Sequence, residues 1–202
     1  MKLRSLRFAL WALIPIVAIG AVGVYMLQQA SADRAGVVSR ADFGGGAYTL
    51  ETGDGQPFTP ASLAGAPTML FFGYTHCPDV CPTTLAEMAA WFDTLGAQGK
   101  PLRAFFVSVD PERDTPAVIK DYVHGVSDRI TGVTGAPDQI AAIEKAWGVY
   151  AKKVPTGDGD YSMDHTATVY LLDSKGQFRS TIVYGEDFDT AVTKLKHLIE
   201  QG

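Results

Sequence analysis

GYTHCPDVCP, residues 73–82, contains the only two cysteines of the chain, Cys77 and Cys81. An apolar run at residues 68–72 precedes this stretch, and apolar residues at helical spacing follow it. The pattern predicts a buried strand, a turn and a helix, with both sulfurs at the amino end of the helix. Free backbone N–H groups and partial positive charge at such an end favour a thiolate over a thiol. The pair is therefore suited to binding a soft metal ion or to cycling with a disulfide, and a structural bridge is the plainest alternative.

Composition and charge limit the classes of partner. The chain has 202 residues, of which 47% are hydrophobic and 19% charged, and its formal net charge is −5. Residues 1–32 carry three basic residues and no acidic one, which leaves 14 basic and 22 acidic residues in the remainder. Because nucleic-acid binding requires clustered Lys and Arg, this acidic balance argues against a nucleic-acid partner. Two cysteines form at most one disulfide, so the chain is not a disulfide-stapled scaffold.

An uncharged stretch near the amino terminus predicts a membrane anchor. Residues 8–27 contain no charged residue, and a helix of that length reaches about 30 Å, enough to cross a hydrocarbon core. Positive residues precede the stretch, so the amino end should stay in the cytoplasm and the folded part should lie outside. We expect residues 1–27 to form the cytoplasmic end and transmembrane anchor, residues 28–46 a linker, and residues 47–202 the folded domain. The competing interpretation is a signal peptide cleaved after residues 30–32, ASA.

The folded domain alternates predicted strands and helices. The expected elements are a hairpin at 47–50 and 56–59, strands at 68–72, 102–109 and 130–133, helices that begin near 82 and 116 and span 140–150, a second hairpin at 166–172 and 178–184, and a final helix at 188–199. This alternation predicts a largely parallel sheet with helices on both faces and a late antiparallel edge. It is the order of a thioredoxin-like α/β fold, a mixed central sheet flanked by helices.

Three segments together resemble the Sco/SenC family of membrane-anchored copper proteins. They are GYTHCPDVCP at 73–82, VSVDPERDTP at 107–116 and DHTATVYLLD at 164–173. The resemblance implies a thioredoxin-like domain that binds one copper ion, as Cu(I) and also as Cu(II), through Cys77, Cys81 and His165. It implies a role in assembling the binuclear copper site of cytochrome c oxidase, from the bacterial inner membrane with the domain in the periplasm. The implied partners are the copper-site subunit of the oxidase, other copper chaperones and thioredoxin-like reductants.

The donor types support metal binding but leave a redox role open. Two thiolates and one imidazole form a soft, low-coordinate set that suits Cu(I), whereas a structural zinc site normally takes a fourth ligand. Cys77 and Cys81 could also close a redox disulfide, which makes a thiol-disulfide reductase the alternative to an assembly protein that is not an enzyme. No proline follows Pro155, so residues 165–167 stand where thioredoxin-type oxidoreductases place a cis-proline. A peroxide-removing enzyme is a third hypothesis, but the activating arginine has no obvious candidate.

Other polar residues near these motifs are candidates for supporting roles. Asp164 could orient the imidazole, and Asp79 could hydrogen-bond near the site. Met163 could supply a thioether and His76 a spare ligand, although a packed methionine and a solvated histidine are the simpler interpretations. The charged turn DPERD, residues 110–114, is expected to be either a solvated loop with a helix cap or a docking site for the recipient protein. The docking hypothesis rests on Asp110, Arg113 and Asp114.

Overall fold

The computed structural model describes residue 20, residues 43–157 and residues 159–201. Nearly all of the predicted anchor and of the predicted linker lies outside these residues. Among the helices that are described, none is both long and apolar enough to cross a membrane.

Nine strands and four α-helices lie within the described part of residues 43–201. The strands are β1 Leu50–Thr52, β2 Pro57–Phe58, β3 Thr68–Gly73, β4 Arg103–Ser108, β5 Ile130–Thr134, β6 Ala151–Gly157, β7 Asp160–His165, β8 Thr168–Leu172 and β9 Phe178–Val183; the helices are α1 Val80–Leu95, α2 Pro116–His124, α3 Pro137–Trp147 and α4 Phe188–Gln201.

Seven of the strands form one mixed sheet in the order β2-β1-β5-β4-β3-β8-β9. β3, β4 and β5 are parallel, and the remaining pairs are antiparallel. The crossovers through α1 and α2 step in one direction along the sheet, whereas the crossover through α3 steps back. Because crossovers between parallel strands are right-handed, α1 and α2 lie on the same face of the sheet; α3 leads to the antiparallel strand β8, and its side chain Trp147 packs on the other face. The predicted mixed α/β architecture is confirmed.

Aromatic contacts define the two sides of this sheet. On one side Tyr122 of α2 packs on Phe106 of β4, with ring centroids 5.6 Å apart. On the other side Trp147 of α3 packs on Tyr170 of β8, at 5.7 Å. Every residue of β3 is buried, as expected for a strand covered on both faces. The carboxyl ends of β3 and β4 lie side by side, with Gly73 opposite Ser108.

Two helix boundaries differ from those expected. Pro82 is the third residue of α1 rather than the first; the first N–H groups of a helix have no intrahelical acceptor, so proline loses no hydrogen bond there. α3 was expected to reach Tyr150 but ends at Trp147, because Gly148 adopts a left-handed conformation with φ 61°. Tyr150 is exposed. The amino end of α2 matches the prediction, since the Thr115 side chain accepts a hydrogen bond from the N–H of Val118.

A two-stranded hairpin, β6–β7, was not predicted. It stands outside the main sheet, and its register places Ala151 opposite His165. Neither strand contains a fully buried residue. The hairpin leads directly into β8, so its last residue, His165, lies at the end of the sheet where the Cys turn (residues 74–79) is found.

The outer edge of β9 is covered by two charged side chains. The Nζ of Lys194 donates to the carbonyl of Thr181 at 2.9 Å. The carboxylate of Glu186 accepts from the N–H of Val183 at 3.3 Å and pairs with Lys194 at 2.6 Å. These contacts occupy backbone groups of an edge strand that would otherwise be free for pairing.

Candidate metal centre

Two sulfur atoms and one imidazole meet beside the carboxyl end of β3. The ligating atoms of Cys77, Cys81 and His165 all lie within 4.8 Å of one another. The Sγ of Cys81 is 3.4 Å from the Nε2 of His165, and its backbone N–H points at the Sγ of Cys77 at 3.4 Å. Neither cysteine is in a disulfide. The fold thus brings together side chains from the start of α1 and the end of β7.

Close packing against β3 fixes the position of Cys81. This residue is the second of α1 and is fully buried. A Cβ atom on Gly73 would lie 2.8 Å from the Sγ of Cys81 and 2.6 Å from the ring of Phe106, closer than real Cβ atoms approach other atoms. Only glycine at residue 73 therefore lets the sulfur lie against the strand.

The two thiols have very different pKa values. Hydrogen bonding from the Cys81 thiol lowers the pKa of Cys77 to about 3, against the opposing effect of burial. His165 and the backbone N–H groups of Asp79 and Cys81 make smaller contributions to this lowering of the Cys77 pKa. The same thiol–thiol hydrogen bond, together with burial, raises the pKa of Cys81. In the metal-free pair, the partly exposed Cys77 is therefore the thiolate and the buried Cys81 keeps its proton.

The imidazole of His165 is oriented by the backbone and by aromatic rings. Its Nδ1 lies 3.1 Å from the carbonyl oxygen of Thr166, and the Tyr74 ring meets it edge-on at a centroid distance of 5.7 Å. Asp164, which was expected to orient this ring, is exposed. Successive side chains of a strand point to opposite sides, so Asp164 points away from the side on which His165 lies. The orienting acceptor is thus a carbonyl and not a carboxylate.

The buried carboxylate of Asp114 holds the Cys turn in place by hydrogen bonds. Asp114 is 0% exposed and accepts hydrogen bonds from the N–H of Thr75 at 3.1 Å and from its hydroxyl at 2.6 Å. The hydroxyl of Ser108, at the end of β4, donates to the same carboxylate at 2.6 Å. Burial raises the pKa of Asp114, and these hydrogen bonds oppose the rise. Through Asp114, the Cys turn is therefore tied by side-chain hydrogen bonds to Ser108 at the end of β4.

The charged turn, residues 110–114, is not a solvated loop. Asp110 and Asp114 are 2% and 0% exposed, and Arg113 lies against the β6–β7 hairpin. The turn follows β4 at the end of the sheet where the Cys turn lies, as the sequence predicted. Burial of acids is costly unless they are paired, and here both carboxylates accept hydrogen bonds from neighbouring side chains. A docking role for these residues stays a prediction.

The other candidate residues lie around the site. Asp79 is exposed, and its backbone N–H rather than its carboxylate hydrogen-bonds to Cys77. Met163 is partly buried and packs against the core. His76 is exposed, and its Nδ1 lies 3.0 Å from the hydroxyl of Thr75. Two residues that sequence reasoning missed are Tyr74, which contacts the imidazole, and Tyr161, which contacts the charged turn. The position of Tyr74 directly after β3, at the start of the Cys turn, was the one available signal.

The three donor atoms form a soft set. Thiolate sulfur and imidazole nitrogen suit Cu(I), while a structural zinc site normally has four ligands. Within the part of the chain that the structure describes, no fourth histidine, cysteine or carboxylate belongs to this group. The residues present therefore fit a low-coordinate ion such as copper better than a closed zinc site.

Comparison with known proteins gives consistent matches. A family model described as SCO1/SenC matches residues 38–200. The mitochondrial SCO1 homolog 1 of Arabidopsis thaliana is 37% identical over 146 residues, which are 72% of this chain and 43% of that protein. The chain spans about half the length of the curated relatives that it matches.

Solved structures match the same part of the chain. The copper-bound structure of Bradyrhizobium japonicum ScoI is 46% identical, with a TM-score of 0.70, and the match covers 76% of this chain and 98% of that one. BsSco, described as having a disulfide switch and as a member of the Sco family of cytochrome c oxidase assembly proteins, is 25% identical with a TM-score of 0.61. That match covers 77% of this chain and 92% of BsSco.

Proposed function

The chain belongs to the SCO1/SenC family, and from this premise we propose that it is a copper-binding assembly protein for the binuclear copper site of cytochrome c oxidase. One copper ion is its cargo, held by Cys77, Cys81 and His165. The observation that carries the proposal is the convergence of the three donor atoms within 4.8 Å. The copper-bound relative and the oxidase-assembly role described for BsSco support it.

Three ligands leave the cargo accessible to a recipient. Cys81 is fully buried, whereas Cys77 and His165 are partly exposed. A thiolate of the copper-site subunit can therefore approach from the side of Cys77 while Cys81 stays in place. The low pKa of Cys77 keeps that sulfur as a thiolate without the need to remove a proton before it binds the ion.

A thiol-disulfide reductase is the second candidate, and the unequal thiol pair favours it. The Cys77 thiolate would attack a disulfide of the recipient and form a mixed disulfide, which releases one recipient thiolate. The Cys81 sulfur, on losing its proton, would then attack the Cys77 sulfur and release the second recipient sulfur. The two electrons gained by the recipient come from the two sulfurs of this chain, which end as a disulfide. A thioredoxin-like dithiol would restore them, and BsSco, with its disulfide switch, supports this candidate.

The location of the domain belongs to the same proposal. Residues 1–27 anchor the chain once in the bacterial inner membrane, and the domain lies in the periplasm. The linker, predicted at residues 28–46, ends before Phe43, because the Phe43 ring packs on Trp147 and Tyr170 of the domain. Docking at Asp110, Arg113 and Asp114 also stays a proposal. Because the two acids are buried, Arg113, which is 16% exposed, is the residue of the three that a recipient would contact directly.

Copper loading of the full chain tests the leading function. The protein is purified in detergent, reduced, loaded with Cu(I) without oxygen, and compared with His165→Ala and with His197→Ala, a matched change on the exposed face of α4. We expect about one copper per chain in the wild type and in the His197 variant, as a single two-sulfur, one-nitrogen site requires. The His165 variant should lose the ion or hold it far more weakly.

Equal copper in all three proteins, or none in any, would overturn the copper site as proposed. Reduction of a model disulfide by the same proteins separates the two candidates. A reductase keeps most of its activity in the His165→Ala variant, since both sulfurs remain, whereas an assembly protein loses its copper-dependent function.

A further inference from the structure

We propose that Arg113 is a positioning residue, which holds the β6–β7 hairpin, and with it His165, against the charged turn. The inference rests on the proposed copper function, because the consequence of the position is whether the third ligand faces the two sulfurs. The group formed by Arg113, Asp110 and Tyr161 is called the Arg113 clamp below.

The guanidinium of Arg113 joins the turn to the hairpin. Its Nε donates to Oδ2 of Asp110 at 2.5 Å. Its Nη1 donates to the backbone carbonyl of Tyr161 at 3.0 Å and to Oδ1 of Asp160 at 3.2 Å. Asp160 is 72% exposed, so that ion pair is weak. The stronger link is the one between Asp110, which is buried, and the backbone of β7.

Tyr161 closes the clamp from the hairpin side. Its hydroxyl donates to Oδ1 of Asp110 at 2.8 Å, so one carboxylate accepts from both the arginine and the tyrosine. The Tyr161 ring also lies under the guanidinium, with its centroid 3.7 Å from the Arg113 Cζ, a favourable cation–π distance. Arg113 is only 16% exposed, and these contacts are therefore shielded from solvent better than surface ion pairs are.

The base of the clamp is fixed to the central sheet. The N–H of Asp110 donates to the hydroxyl of Ser108, the last residue of β4, at 2.9 Å. That hydroxyl donates in turn to Asp114, which also carries the Cys turn through Thr75. One hydrogen-bonded group thus supports both halves of the candidate metal centre.

The clamp acts on His165 through the strand that they share. Tyr161 and His165 are four residues apart in β7, so their side chains point to the same side. Neither strand of the hairpin contains a fully buried residue. Ala151 and Met163 pack against the core but are only partly buried, so apolar packing holds the hairpin weakly. The other described charged contact between the hairpin and the turn, Lys153 with Glu112, is exposed at both ends. Loss of the clamp should release the hairpin and move the imidazole away from the sulfurs.

Tyr74 gives a second route from the clamp to the imidazole. The Arg113 Cζ lies 5.7 Å from the centroid of the Tyr74 ring, and the same ring meets His165 edge-on. Arg113 therefore lies next to both structures that set the position of His165, the strand that carries it and the ring that packs against it.

Three variants of the full chain test the clamp. Arg113→Gln removes the charge and the fork of donors, and Tyr161→Phe removes only the hydroxyl bond to Asp110. Arg179→Gln is the matched control, because Arg179 also pairs with a buried acid, Asp173, but at the turn that joins β8 to β9. Far-ultraviolet circular dichroism and thermal melting establish that each variant is folded.

The first readout uses the metal-free protein. Amide hydrogen exchange in residues 160–165 should speed up about tenfold or more in Arg113→Gln, less in Tyr161→Phe, and not in Arg179→Gln, since local opening sets that rate. The second readout is copper: Cu(I) affinity should fall about tenfold or more in Arg113→Gln, and the nitrogen coupling in the electron paramagnetic resonance spectrum of the Cu(II) form should weaken.

Wild-type exchange and wild-type affinity in a folded Arg113→Gln protein would overturn the clamp. If Arg113→Gln does not fold, Tyr161→Phe decides by the same two readouts. Failure of the proposed function has a different signature: His165→Ala then binds copper like the wild type, while the exchange measurement still reports whether the clamp holds the hairpin.

Discussion

Cys81 is fully buried against a central strand, whereas His165 ends a hairpin whose two strands contain no fully buried residue. Apolar packing and a missing side chain at Gly73 place the sulfur. A backbone carbonyl, an aromatic ring edge and a cluster of polar contacts around Arg113 place the imidazole. The two parts of one site are thus built by different forces.

The difference predicts which part of the site can open. Tight apolar packing resists small displacements, because every neighbour must move with the displaced group. Polar contacts on a partly exposed hairpin break and reform locally without unfolding the core. We therefore expect the Cys81 sulfur to stay fixed and the imidazole to be the ligand that leaves and returns.

The largest expected effect concerns the thiol pair. In the reduced, metal-free chain, Cys81→Ala removes the main hydrogen-bond donor that lowers the pKa of Cys77. We expect that pKa to rise by several units toward the ordinary thiol value of about 8.5. The measurement is a pH titration of thiolate absorbance in the ultraviolet. His165→Ala should raise the pKa of Cys77 less, and a Cys81→Ala protein that titrates like the wild type would contradict the assignment.

The second prediction compares a buried acid under the Cys turn with an exposed acid on the hairpin. Asp114→Ala leaves the donors of Thr75 and Ser108 without their acceptor, so the free energy of unfolding should fall by about 3 kcal/mol. Asp160→Ala removes an exposed ion pair and should cost less than about 1 kcal/mol. Urea denaturation measures both. Equal losses would show that the two regions are not held differently.

The third prediction compares two glycines. Gly73→Ala places a Cβ atom against the Cys81 sulfur and the Phe106 ring, and overpacking of this kind costs about 2 kcal/mol. Gly159→Ala meets no atom within 4 Å but must adopt a φ of +80°, which costs about 1 kcal/mol. Urea denaturation gives the stabilities, and thiol titration should change only in the Gly73 variant. A Gly73→Ala protein with wild-type stability would contradict the close packing described for Cys81.

The smallest expected effect is a dependence of stability on pH that arises from Glu144 on α3, a residue that belongs neither to the packing around Cys81 nor to the β6–β7 hairpin. Burial raises the pKa of Glu144 on α3 from 4.5 to about 7. Between these values the folded chain holds a proton that the unfolded chain has released, so stability falls as pH rises through this window. Because the side chain is partly exposed, we expect a loss of about 1 kcal/mol between about pH 5 and about pH 8.

Glu144→Gln should remove this loss, and urea midpoints at the two pH values measure it. Hydrogen exchange in the β6–β7 hairpin should respond to pH equally in both proteins, apart from the intrinsic chemistry of exchange. If Glu144→Gln instead changes the opening of the hairpin, the pH effect acts through the hairpin that carries His165. The hairpin and the packing around Cys81 would then be less independent than proposed.

The central sheet could be predicted from the sequence because its strands and helices are marked by apolar runs and by apolar residues at regular spacing. The apolar run at 68–72 and the helical spacing after Pro82 predict β3 and α1, and the alternation of such segments predicts the order of the fold. The β6–β7 hairpin could not be predicted in this way. Residues 151–165 contain Lys, Asp, Gly and Pro155, and their strands depend on pairing with each other and on contacts with a turn some 50 positions earlier, such as that of Tyr161 with Asp110.

The residues of the candidate metal centre also differ in how far they could be predicted from the sequence. The two cysteines are neighbours in sequence, so their position at the start of a helix is a local property. His165 could be named only through the family resemblance. Its partner, the Thr166 carbonyl, is a backbone group that leaves no mark in the sequence. The burial of Asp110 and Asp114 was missed because charged residues are usually exposed, and their partners become visible only in three dimensions.

The covered edge of β9 bears on how the protein behaves in a crowded compartment. An open edge strand is a template on which another chain can add a strand, and such addition leads to aggregation. Lys194 and Glu186 occupy a carbonyl and an N–H of that edge and place two charges beside it, so an incoming strand would have to displace an ion pair before it could form a hydrogen bond. The β9 edge is thereby protected from unwanted self-association, and the protein can present the Cys77 thiolate at one end of the sheet without becoming adhesive along its side.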